Sequence, residues 1–181
     1  MLTLARSAIE AAVQRHPLPE PSFAMRLLAA LSGAFVSLHQ RGRLRGCIGQ
    51  IDASQPLALT VARCAVAAAM EDPRFSPVTP DELSGLEIEI SVLSPLVPVR
   101  PEEIEVGKHG LLVSRGGQRG LLLPQVATQF HWTRERFLLE TCHKAGLDAD
   151  AWQDPGTQLE AFTAEVFSEA EIRAEHPARA S

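Results

Sequence analysis

The sequence predicts an α+β fold: two subdomains, each a mostly antiparallel sheet with flanking helices. Three observations lead there. Short apolar-alternating stretches are joined by turn signals, as at Gln40-Arg41-Gly42-Arg43 and Gly116-Gly117. Helical apolar spacing is confined to a few segments. The strands join through hairpins instead of regular strand–helix–strand alternation, which favours antiparallel sheets.

Each element has its own reason. Leu4, Ala8, Ile9, Ala12 and Val13 recur at helical spacing and predict an amphipathic helix over 3–15, ended by Pro17, Pro19 and Pro21. A short helix is expected from Met25 to Leu31, closed by Gly33. Strands are expected over 34–39 and 44–51, with Gly42 supplying a positive φ in the turn. Ser54 and Pro56 mark a helix start. The run from Leu57 to Met70, charged only at Arg63, has no polar face and belongs in the interior, stopping near Asp72-Pro73. Leu86 to Ile90 alternates as a strand with one solvated face, and Val97 to Val99 reads as a short strand. Strands over 111–115 and 119–123 flank the glycine pair. A helix is expected over 124–130, and another after the Thr133 N-cap, stopped by Gly146. One final strand is read over 162–167, and the tail from Glu169 to Ser181 as polar and frayed.

Composition narrows the classes of function. Formal net charge is −5, which disfavours general nucleic-acid binding, because phosphate affinity needs excess Lys and Arg. No apolar run approaches the roughly 18 residues needed to span a bilayer. The N-terminal segment carries Arg6, Glu10 and Arg15, unlike a signal peptide. Three cysteines without a Cys-x-x-Cys pair fit free thiols in a reducing compartment, so a cytoplasmic location is expected. No His/Cys spacing suggests a preformed metal site, and no cofactor is assigned.

Leu44-Arg45-Gly46-Cys47-Ile48-Gly49 is the most informative stretch. Strand alternation would turn Leu44 and Ile48 into the core and gather Arg43, Arg45 and Cys47 on the other face. Gly46 and Gly49 are poor strand formers, tolerated where a backbone, a ligand or a bulge needs room. A thiol beside a guanidinium is biased toward thiolate, so Cys47 is a candidate nucleophile, redox thiol or soft metal ligand. The arginines suit a carboxylate or phosphate. The competing reading is a small buried cysteine with arginines that solvate a hairpin tip. Asp72 and Arg74 follow the buried helix, where they either complete a charged site with Arg45 or form a local pair in a turn. Lys108 and His109 lie in a Gly-bounded turn, as ligand contacts or a solvated loop. His39 reaches the site only if the strand register allows. Cys64 and Cys142 read as core residues.

The same hexapeptide resembles the signature of the AMMECR domain family, whose bacterial and archaeal members are often called AmmeMemoRadiSam system protein A. Further blocks match in order: Asp72-Pro73-Arg74-Phe75, Glu89-Ile90-Ser91-Val92-Leu93-Ser94-Pro95, Gly107-Lys108-His109-Gly110-Leu111, Leu122-Leu123-Pro124-Gln125-Val126-Ala127, and Cys142 to Leu147. The similarity covers roughly 30–168. It implies a larger subdomain of about 1–100 plus 158–181, a smaller one of about 101–157, and the hexapeptide at a cleft between them. It also implies Memo-like and radical SAM proteins as partners. No settled activity comes with it. The expected function is therefore a component of such a system that binds a large protein or peptide substrate, with Cys47 and Arg45 at the site and Arg43, Gly46, Gly49, Asp72, Arg74, Lys108 and His109 lining it. The alternative is a non-catalytic interaction or scaffold module.

Overall fold

A computed structural model of the chain describes residues 1–21 and 26–175, the last three as backbone only. The described residues divide into two units, one of those within 1–93 and 165–175, the other of residues 94–164.

The first unit opens with helix α1, Leu2–Val13, which buries Ala5, Ala8 and Ile9. A single helical turn, α2, covers Arg26–Ala29; Met25, expected to begin it, lies outside the described residues. Strands β1 (Ala34–Gln40) and β2 (Arg43–Gln50) form the expected hairpin. Arg41 and Gly42 both hold positive φ, 52° and 73°, as a two-residue primed turn requires. Helix α3 (Leu57–Met70) packs its alanine-rich face on β1, β2 and α1, burying Val61, Cys64, Ala65 and Ala68. A 3₁₀ turn at Pro80–Gly85 leads into β3 (Leu86–Leu93).

The second unit holds the short strand β4 (Val97–Pro98), the hairpin of β5 (Gly110–Arg115) and β6 (Gln118–Leu122), helices α4 (Pro124–Gln129) and α5 (Arg134–Lys144), and strand β7 (Gln158–Phe162). The Thr133 hydroxyl accepts from the Arg136 amide, and Gly146 at φ 74° ends the α5 segment. Its sheet runs β4-β7-β5-β6, around a core that includes Phe137, Leu138 and Cys142.

Two expectations near the C-terminus need correction. The single strand over 162–167 is two strands, β7 and then β8 (Ala164–Ser168), separated at Thr163. The first closes on β5, whereas β8 joins the first unit's sheet, of order β2-β1-β3-β8. Thr163 donates its amide to the Ser94 hydroxyl and accepts from the Ser94 amide, each at 2.9 Å, which breaks the ladder. The segment after Glu169 begins as helix α6, Glu169–Glu175. The Glu169 carboxylate accepts from the Arg6 side chain and from the Ile88 amide at 3.1 Å, and this holds the helix start to the first unit. Residues 176–181 lie outside the described part.

Candidate functional site

The hexapeptide lies in β2, the edge strand of the first sheet. Gly46 faces α3: a Cβ built there would sit 2.1 Å from the Ala68 carbonyl oxygen. Gly49 gives its space to the ring of Phe35, whose Cδ1 would lie 2.1 Å from an added Cβ. Both glycines therefore serve close packing inside the unit.

A bulge overturns the simple alternation. Leu38 pairs with Gly46, but the next residue, His39, pairs with Leu44, which leaves Arg45 as the extra residue. Leu44, expected in the core, is 40% exposed, because the shift turns it to the face of His39. Arg45 and Cys47 consequently do not look out side by side. The Arg45 guanidinium closes on Glu82, Nε to Oε1 at 2.8 Å and Nη2 to Oε2 at 3.0 Å, and also donates to the carbonyls of Ser76 and Pro77. Its side chain is only 15% exposed. The same Glu82 carboxylate accepts from the Thr79 amide and hydroxyl. The Arg45 hydrogen bonds are the main cause that holds Glu82 down to about 2, and they raise Arg45 in return.

Cys47 is held differently. Its amide donates to Asp72 Oδ2 at 2.8 Å, and its carbonyl accepts from Arg74 Nη2 at 3.1 Å. Asp72, a buried carboxylate, also receives the Arg74 side chain in a two-pronged pair and the Arg74 amide. The Arg74 guanidinium holds the Asp72 carboxyl far below the usual carboxylate range, against the opposing effect of burial. Asp72 raises Arg74 correspondingly. With both backbone groups of Cys47 turned outward, its pairing with Ser37 is of the kind that brings side chains close. The Ser37 hydroxyl donates to Cys47 Sγ at 3.2 Å. The thiol is half-buried and free, whereas Cys64 and Cys142 are buried. Burial pushes the Cys64 thiol up to about 11 and raises Cys142 too.

The structure thus brings Arg45, Gly46, Cys47, Asp72 and Arg74 together in the first unit, with Gly49 two residues along β2. Arg43 is exposed beside the hairpin turn. Lys108 and His109 belong to the second unit and bond within their own turn: Lys108 Nζ meets Glu105 at 2.7 Å, and His109 Nδ1 accepts from the Glu105 amide. Glu82 and Ser37 are the residues that sequence reasoning missed. Glu82 was signalled by Thr79-Pro80-Asp81-Glu82, a capping-box pattern. Ser37 had no signal short of the strand register.

The family model described as AMMECR1 matches residues 2–167. The chain belongs to the AMMECR1 family. A Methanothermobacter thermautotrophicus protein is 47% identical over 144 residues, 76% of this chain and 75% of its own length. A Thermococcus gammatolerans protein is 44% identical over 181 aligned positions, covering 93% of this chain and 88% of its own. The crystal structure of an uncharacterized Pyrococcus horikoshii protein superposes with a TM-score of 0.85 at 42% identity, covering 92% of this chain and 88% of that one. The AMMECR1 fold is therefore shared with an experimentally determined relative. Among the described residues no helix is long and apolar enough to cross a membrane, and no three His, Cys, Asp or Glu side chains cluster at metal-binding spacing.

Proposed function

We propose that this AMMECR1-family protein is the substrate-binding member of a system that includes Memo-like and radical SAM proteins. It holds a protein or peptide segment beside β2, with the Cys47 thiol against the bound segment. One observation carries the reading: Arg45 and Arg74, the guanidinium groups nearest the thiol, are paired with carboxylates that hold the strand, and the half-buried thiol has no such structural use. Arg45 is closed on Glu82 and Arg74 on Asp72. The Ser37 hydroxyl donates to the thiol, the Arg74 guanidinium lies beside it, and among the described residues no Asp, Glu or His side chain hydrogen-bonds to it. That arrangement suits a contact or capture point better than an independently turning-over nucleophile.

Purified chain mixed with the Memo-like and radical SAM proteins of the same organism should co-elute with at least one of them. Cys47→Ser should leave that complex intact while weakening binding of the substrate segment. Failure of the wild-type chain to associate with either partner would end the proposal. A catalytic thiol is the second reading, favoured by the partial exposure of Cys47. It requires iodoacetamide to alkylate Cys47 faster at neutral pH than it alkylates a model peptide thiol.

A further inference from the structure

The face of the first sheet turned away from α3 carries chemistry that the role of Cys47 alone does not use. In β1, Val36 and Leu38 are core residues, so Phe35, Ser37 and His39 occupy the opposite face. In β3, Leu86, Ile88 and Ile90 fill the core, so Glu87 and Glu89 share that opposite face. The register pairs Ser37 with Cys47 on one side and with Glu89 on the other. Thiol, hydroxyl and carboxylate thus stand in one row across three strands. The Phe35 ring, lying over Gly49, flanks the row on one side, and His39 begins the next row on the other.

The charges along this row are unequal. The nearby guanidinium groups, Arg45 and Arg74, are already matched to Glu82 and Asp72. Glu89 is half-buried, and its side chain makes no ion pair or hydrogen bond among the described residues. A carboxylate with no counter-charge in contact attracts a cation brought close to it. Two strand spacings separate it from Cys47, about 10 Å.

We propose that the row is a subsite for a basic residue of the peptide or protein substrate. The ammonium or guanidinium meets Glu89, and the substrate crosses Ser37 to reach the Cys47 thiol. This rests on the reading of Cys47 as the substrate contact and adds the chemical class of what lies beside it.

Two thiol reagents of matched size and opposite charge test it: trimethylammonium-ethyl and sulfonato-ethyl methanethiosulfonate. Each forms a mixed disulfide with the Cys47 thiolate and releases methanesulfinate; Cys47→Ser gives the background. The ratio of cationic to anionic rates should fall about 2- to 10-fold in Glu89→Gln, as expected for one charge removed at this distance. It should be unchanged in Glu135→Gln, which removes an exposed carboxylate of the second unit. An unchanged ratio in Glu89→Gln overturns the subsite while leaving the thiol reading standing. If Cys47 reacts with neither reagent, the thiol reading falls, and binding of dye-labelled tetralysine decides the subsite. Weaker binding by Glu89→Gln than by wild type and Glu135→Gln supports it, and equal binding by all three overturns it.

Discussion

Arg45 and Glu82 show how one pair of side chains can fix a backbone irregularity. Two parallel hydrogen bonds and two loop carbonyls use the guanidinium of the bulged residue, so the bulge is held by geometry that a lysine does not reproduce. The folded-state values of Glu82 and Asp72 lie below those of an unfolded chain. Both carboxylates therefore contribute stability that is fully present above about pH 5. It is withdrawn as pH falls, for Glu82 down to about 2 and for Asp72 further below. Arg45→Met should cost about 1.5–3 kcal/mol at pH 7 in urea unfolding, since it removes hydrogen bonds between charged groups. The gap to wild type should narrow as pH drops toward the range where Glu82 is protonated. A gap that is constant with pH would mean that the pair does not stabilise the fold.

At the scale of elements, the contact of β2 with α3 is the tightest feature around the hexapeptide. An added methyl at Gly46 meets the Ala68 carbonyl oxygen, a backbone atom that cannot swing aside. Gly46→Ala should therefore destabilise by about 1–3 kcal/mol, the usual cost of overpacking. The variant's denaturation midpoint measures this, and an unchanged midpoint would show that the helix and strand can part freely. The place of the hexapeptide was legible in the sequence, because glycines, a thiol and a charge in one apolar strand are an unusual mixture. The hairpin turn was legible through Gly42, and α3 through its missing polar face. The facing of Arg45 and Leu44 was not. Alternation assumes an unbroken ladder, and a bulge is decided by which partner residues meet across strands. The division of 158–168 between two sheets was hidden for a similar reason. Apolar spacing continues through Thr163, and only its hydrogen bonds with Ser94 reveal the break.

At the scale of the whole molecule, each unit has its own buried cluster and its own buried cysteine, Cys64 in one and Cys142 in the other. Alkylation of the native chain should label Cys47 alone. In increasing denaturant, the exposure of Cys64 and Cys142, read by mass spectrometry after short alkylation pulses, reports the opening of each unit separately. Divergent midpoints would show that the units melt independently, and coincident ones that they unfold as one. The Asp72–Arg74 pair also has a consequence for how copies of the chain meet. An acceptor and a donor occupy the outward amide and carbonyl of Cys47, the groups that a neighbouring chain would need to extend the sheet sideways. The pair thus acts as a built-in stopper against polymerisation along that seam. Asp72→Ala should scatter more light than wild type at equal concentration before any loss of helical signal, and equal scattering would show that the seam is guarded by something else.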